Sequence, residues 1–114
     1  IIYHTNHPFV SEVSSTYLAL HKDTPPQHGS SEARFEVLLR LIYAHTGKAP
    51  SIEFIKSVLS NQDNTSLPIS RPHNPTDPDA TYTAASLIME LSNSPRLHLA
   101  PGPPHQTTYT MYSL

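Results

Sequence analysis

Apolar side chains recur at helical spacing in the middle of the chain. Ser30 and Ser31 are candidate N-caps for this helix, because a serine hydroxyl accepts a backbone N–H from the first turn. Gly47 predicts its end, since glycine readily adopts the backbone conformation that closes a helix. The apolar face is formed by Phe35, Leu38, Leu39 and Ile42. A stripe of this kind is typical of a core contact, so we expect it to face a sheet.

A second, shorter helix and a long loop follow. Ser51 is the candidate N-cap of the helix, and its apolar face is formed by Ile52, Ile55, Val58 and Leu59. Residues 61–80 are mostly Asn, Asp, Ser, Thr and Pro, so we expect them to form a loop. A loop of this length inside a compact domain usually has a function or is mobile.

The two ends of the chain carry the pattern of β-strands. Residues 1–5 predict a strand that Pro8 ends, because proline cannot continue a central ladder. A turn at 92–95 predicts a hairpin. The remaining strands are predicted at 81–91, 96–100 and 107–114. The expected class is therefore α+β, with one strand, two helices, a long loop and three further strands.

The composition favours a part of a larger body. The chain has 114 residues, of which 37% are hydrophobic and 12 are proline, so its core is small and its loops are stiff. It opens on Ile1-Ile2-Tyr3 without an initiator methionine. We therefore expect residues 1–114 to be a single incomplete C-terminal segment of a larger domain.

Charge and residue usage exclude several classes of partner. The net charge is −2 and the seven Lys and Arg are scattered, which argues against nucleic acid. No apolar run approaches the ~20 residues of a membrane span. With no cysteine, the chain forms no disulfide or thiolate site. Its last three residues, Tyr112-Ser113-Leu114, lack the basic residue of a peroxisomal Ser-Lys-Leu signal, which leaves cytoplasm and peroxisome both open.

Short segments spread over nearly the whole chain together resemble the acyl-coenzyme A:6-aminopenicillanate (isopenicillin N) acyltransferase family. Their order and spacing are similar to the last third of such an enzyme. The segments are His4-Thr5-Asn6-His7, Ser30-Ser31-Glu32-Ala33-Arg34, Ile69-Ser70-Arg71, Ala85-Ser86-Leu87-Ile88-Met89 and Ala100-Pro101-Gly102-Pro103-Pro104. One position departs from the pattern, because many relatives carry cysteine where this chain has Ser70.

The resemblance implies an N-terminal-nucleophile (Ntn) hydrolase. Its fold is an αββα sandwich, and its precursor cleaves itself before a cysteine that becomes the nucleophile. That cysteine would lie in an upstream part of the same protein, which is the expected partner of this segment. The implied substrates are small molecules with linear amide bonds, with a coenzyme A thioester as co-substrate and no bound cofactor.

Asn6 is the first candidate for catalysis. Attack by a thiolate on a carbonyl produces an oxyanion, and an asparagine amide provides N–H donors for it. The resemblance implies this role, whereas the residue type alone also suits a chain turn before Pro8. We assign His7 beside it to substrate binding or to support of the Asn6 loop. His4 and His7 together make a poor metal pair, because residues three apart in a strand point to opposite faces.

Arg71 is the second candidate. A guanidinium holds a carboxylate in a two-pronged contact, so Arg71 would orient a catalytic Asp or an anionic substrate, as the resemblance also suggests. The alternative is an exposed loop arginine with no such role. Ser86 lacks the Gly-x-Ser-x-Gly elbow of a serine nucleophile, so we expect it to be a small residue packed in a sheet.

Two functions of different classes follow from the sequence. In the first, the chain is the C-terminal part of a cysteine-nucleophile acyltransferase or amidohydrolase, and is inactive alone. In the second, it is a truncated, non-catalytic homologue that serves as a structural or binding module.

Overall fold

The computed structural model describes residues 30–45 and 49–114. Over these ranges the chain forms two helices followed by a three-stranded antiparallel sheet. The helices are α1 (Ser30–Ala44) and α2 (Ile52–Leu59), and the strands are β1 (Ser86–Glu90), β2 (Arg96–Ala100) and β3 (Thr110–Ser113). The α+β class is confirmed, while the strand predicted at 1–5 and the helix stop at Gly47 lie outside these residues. No helix in the described ranges is long and apolar enough to cross a membrane.

The second helix begins where its capping residue predicts. Ser51 has extended backbone angles (φ −76°, ψ 160°), and its Oγ accepts the backbone N–H of Phe54 at 3.1 Å. This contact satisfies one of the free donors of the first turn. The helix meets the end of the preceding one through His45, whose ring stacks on Phe54 with centroids 3.7 Å apart.

One face of the sheet is covered and is unusually polar. In the register, Ser86 lies opposite Ala100 and Ile88 lies opposite His98. All four side chains are buried, and α2 packs against β1 with Val58 as its buried residue. The core of this part of the chain therefore lies between α2 and one face of the sheet.

The other face of the sheet is apolar and largely exposed. It is formed by Leu87, Met89, Leu97, Leu99 and Tyr112, which lie opposite one another across the three strands. Leu87 is 58%, Met89 61% and Tyr112 47% exposed. Because side chains alternate along a strand, both faces follow from the same period of two. We call these five residues the outer apolar face.

Two strands are shorter than the sequence predicts. The strand expected at 81–91 begins only at Ser86, and the one expected at 107–114 begins at Thr110. Before Ser86 the backbone bonds to the long loop and not to the sheet, since Thr83 N donates to Arg71 O at 3.2 Å. Thr107 is held in a turn, because its N donates to Pro103 O at 3.0 Å. In both places a tertiary or turn contact replaces ladder pairing.

The long loop at 61–80 is confirmed, and it is built from turns that its own side chains close. Asn61 Oδ1 accepts the N–H of Asp63, and Asn64 Oδ1 accepts the N–H of Leu67 at 2.9 Å. Asn74 does the same for Thr76. Asparagine side chains replace backbone acceptors in such turns. The loop therefore has a defined conformation without the ladder of backbone hydrogen bonds that joins strands.

Candidate active site

A cleft of about 580 Å³ lies between α1, α2, the long loop and the segment before β1. Polar and apolar atoms share its lining about equally, and the apolar residues are Leu38, Val58, Leu59, Ile69, Ala84 and Ala85. Its polar lining includes Thr83, Tyr82 and two cations, Arg34 from α1 and Arg71 from the loop. We call this cavity the arginine cleft, and Arg34 with Arg71 the arginine pair.

Arg71 is held in the cleft by both its backbone and its side chain. Its N–H donates to Thr83 Oγ1 at 2.9 Å, and its carbonyl accepts the N–H of Thr83 at 3.2 Å. Its Nη1 donates to Thr81 Oγ1 at 2.6 Å. Contact with a hydroxyl orients a guanidinium without changing its charge. Arg71 is therefore a half-buried, oriented cation and not an exposed loop arginine.

Arg34 places a second positive charge on the same cleft. Its Nη2 donates to Ser31 Oγ at 3.3 Å within the first turns of α1. Burial lowers the pKa of Arg34, and the positive charge of Arg71 lowers it further. The positive charges of the two guanidinium groups thus repel one another.

The residue before Arg71 belongs to a buried hydrogen-bonded group. Ser70 is fully buried, and its Oγ lies 2.6 Å from His105 Nδ1. Gln62 Nε2 donates to Ser70 O at 3.1 Å and lies 2.8 Å from His105 Nε2. Because the Gln62 amide nitrogen is a donor, His105 Nε2 accepts and Nδ1–H donates to Ser70. Ser70 and His105 therefore fix the loop, and a serine without exposed surface is no nucleophile.

The sheet holds two further buried polar pairs away from the cleft. Ser86 Oγ lies 2.6 Å from Tyr109 OH, which agrees with the expectation that this serine is packed in the sheet. His98 Nε2 lies 2.8 Å from Glu90 Oε2 on the covered face. Both pairs satisfy polar atoms that the sheet buries. Neither presents a reactive group to the arginine cleft.

Two of the three predicted site residues lie outside the described ranges. They are Asn6 and His7, so the prediction that Asn6 and Arg71 edge one cleft stays a prediction. His4 also lies outside the described ranges. Within 30–45 and 49–114, no group of three His, Cys, Asp or Glu side chains is arranged to hold a metal ion.

Two residues at the site were not predicted from the sequence. Arg34 stands four positions before Leu38, so both belong to one helix face, and this spacing was the available signal. His105 follows the proline-rich corner, and its contact with Ser70 spans the long loop and the hairpin. No local pattern predicts such a contact.

Comparison with protein-family models, with curated proteins and with solved structures finds no match for this chain. The structural feature of this chain that bears on its function is therefore the arginine cleft with the residues that position Arg71.

Proposed function

We propose that this chain is the C-terminal part of a cysteine-nucleophile Ntn acyltransferase or amidohydrolase that acts on linear amide or acyl-thioester bonds. The observation that carries the proposal is the position of Arg71. It belongs to a segment that resembles the acyltransferase family, and it lines a cleft that combines apolar side chains with polar ones. Small-molecule sites are typically concave and apolar, with a few placed polar groups.

The chemistry divides between this chain and an upstream cysteine. The thiolate attacks the carbonyl, and the amide of Asn6 donates to the oxyanion that forms. Arg71 orients a carboxylate. Thr81 Oγ1 accepts a hydrogen bond from its guanidinium, and Thr83 Oγ1 accepts one from its backbone N–H. Orientation of this kind lowers the entropic part of the barrier.

The outer apolar face supports an incomplete sandwich. Two sheets that pack face to face bury apolar side chains between them, and Leu87, Met89 and Tyr112 form such a surface here. In the proposed enzyme, the second sheet of the αββα sandwich covers this face, and α1 and α2 belong to the helical layer on the other side.

The first test of the proposal is chemical. The full-length protein that carries this chain is purified, and mass spectrometry determines whether it has cleaved itself before a cysteine. Turnover is then measured with an acyl-coenzyme A and 6-aminopenicillanic acid, and with N-acyl amino acids. We expect self-cleavage and turnover that thiol alkylation abolishes. A full-length protein with neither activity would favour the non-catalytic module.

The second test concerns Arg71 itself. Arg71→Lys keeps the charge but loses the planar two-pronged contact, so we expect a fall in kcat/KM of roughly ten- to a hundredfold. The matched control is Arg96→Lys, because Arg96 is an exposed strand residue that does not line the cleft. Equal activity of the two variants would contradict the role of Arg71.

A further inference from the structure

One side-chain amide joins the loop at 61–80 to the corner after β2. Gln62 Nε2 donates to Ser70 O at 3.1 Å and lies 2.8 Å from His105 Nε2. A carbonyl oxygen only accepts hydrogen bonds, so the amide nitrogen of Gln62, and not its oxygen, faces Ser70. The same nitrogen faces His105. We call these two contacts of Gln62 the Gln62 bridge.

The Gln62 bridge requires a neutral His105. Its Nε2 accepts an N–H of Gln62, and its Nδ1–H donates to Ser70 Oγ across 2.6 Å. A protonated imidazole carries an N–H on both ring nitrogens and has no acceptor left. Two N–H groups would then oppose one another across 2.8 Å. Protonation of His105 therefore removes its contact with Gln62.

Rotation of the amide does not restore the bridge. With the Gln62 oxygen turned towards a protonated His105, that oxygen would also face the carbonyl of Ser70, which is itself an acceptor. In either orientation Gln62 loses one of its two partners. The bridge as a whole is therefore compatible with the neutral ring alone.

The corner holds the His105 ring more firmly than the loop holds Gln62. Pro103 is buried, and its carbonyl accepts the N–H groups of Gln106 at 2.8 Å and Thr107 at 3.0 Å. His105 lies inside this turn, whereas the Gln62 side chain is exposed. The response to protonation is therefore the departure of Gln62 into solvent.

No carboxylate takes the place of Gln62 beside the ring. Within 30–45 and 49–114, the two side chains bonded to His105 are neutral and the ring forms no ion pair. The charged or titratable side chains nearest to those two in the loop sequence have other contacts, which are Asp63 with Arg40, Arg71 with Thr81 and His73 with Tyr82. Among the described residues, protonation thus removes one contact of His105 without adding another.

We propose that the Gln62 bridge is a pH-sensitive attachment of the loop, closed while His105 is neutral and open once its ring is protonated. The open form binds one proton more than the closed form, so a fall in pH favours opening. Histidine side chains ordinarily change charge between about pH 5 and 8. Because Ser70 precedes Arg71, opening loosens the loop where it enters the arginine cleft, whatever reaction the cleft supports.

The tautomer of His105 is the first test. Long-range proton–nitrogen NMR spectra of the full-length protein locate the ring proton, and His105→Phe assigns its signals. At about pH 7.5 we expect a neutral ring with its proton on Nδ1, and at about pH 5 a doubly protonated ring with a shifted Gln62 amide signal. A proton on Nε2 at the higher pH, or a Gln62 amide unaffected by protonation, would refute the bridge. His98 is the internal control, because the carboxylate of Glu90 accepts from its ring in both charge states.

Hydrogen exchange measures opening directly. The N–H of Ser70 is bonded to Asn61 O beside Gln62, and its protection factor should fall roughly two- to tenfold from about pH 7.5 to about pH 5. The fall is taken relative to the N–H groups of the β1–β2 ladder, which report on the stability of the sheet. Protection factors already allow for the pH dependence of exchange in an unstructured chain.

Variants of two exposed glutamines assign the pH dependence. Gln62→Leu should lower protection of the Ser70 N–H at both pH values and abolish the further fall. Gln62→Glu should reverse its direction, because a carboxylate accepts from the protonated ring of His105. Gln106→Leu is the matched control, since it removes a contact with His73 N at the same junction and should keep the fall. A fall that persists in Gln62→Leu, or that is absent from the wild-type protein, would overturn the proposal.

Discussion

His105 Nδ1 donates to Ser70 Oγ across 2.6 Å, and this contact joins the corner after β2 to the residue that precedes Arg71. Asn61 O accepts the N–H of Ser70 at 3.2 Å from within the loop. The position of Arg71 is thus held through its neighbour Ser70 and through its own backbone contacts with Thr83. The orientation of the cation depends on a residue far along the sequence.

Removal of the His105 ring nitrogens should destabilise the protein. His105→Phe leaves the buried Ser70 hydroxyl without its partner, and we expect the free energy of unfolding to fall by about 1–3 kcal/mol. Urea unfolding of the full-length protein measures it. The double variant with Ser70→Ala removes both polar groups and should regain part of the loss. If the double variant loses more free energy of unfolding than the two single variants together, the contact does not have this role.

Gly102 should not tolerate a side chain. Its φ is +140°, and a Cβ built there would lie 3.0 Å from Thr107 Cγ2. We expect Gly102→Ala to cost about 1–3 kcal/mol, because both the backbone angle and the contact are unfavourable. Thermal unfolding checks this. Adding Thr107→Ser removes the methyl group but not the backbone strain, so only partial recovery is expected; full recovery would show that the angle costs nothing.

Asp63 should titrate at lower pH in the folded protein than in the unfolded chain. A hydrogen bond from Arg40, with a second from Asn61, holds its pKa below the ordinary value. Its contribution to stability is therefore complete above the unfolded pKa of about 3.9 and is lost as the pH falls through the lower folded pKa. In an NMR titration, Arg40→Gln should raise the pKa of Asp63. Lys56→Gln, which breaks the separate pair with Glu53, should leave that titration unchanged.

Loss of the Asn6 amide should affect the chemical step. In the proposed full-length enzyme, we expect Asn6→Ala to lower kcat by about a hundred- to a thousandfold with little change in KM, because an oxyanion donor acts mainly in the transition state. Steady-state kinetics on a linear amide measures both constants. Asn93→Ala, at an exposed position in the hairpin turn, is the control. A rise in KM without loss of kcat would assign Asn6 to substrate binding instead.

Local patterns were enough to predict the helices and the hairpin. Ser51 caps α2 through a contact within its own first turn, and the turn after β1 is set by its own residues. The late start of β1 was not predictable, because the competing bond comes from Arg71 in the loop. His105 was missed for the same reason, because its role depends on Ser70, which only the tertiary fold brings near. Arg34 could have been found from its helical spacing to Leu38.

The outer apolar face also has a consequence for solubility. In the described sheet β2 is central, so β1 and β3 are its edges, and Leu87, Met89 and Tyr112 lie exposed beside them. An uncovered edge next to exposed apolar side chains favours the addition of strands from other molecules. We therefore expect residues 1–114, when produced without a covering layer, to accumulate as β-rich aggregates, and co-expression with the proposed upstream part to suppress them.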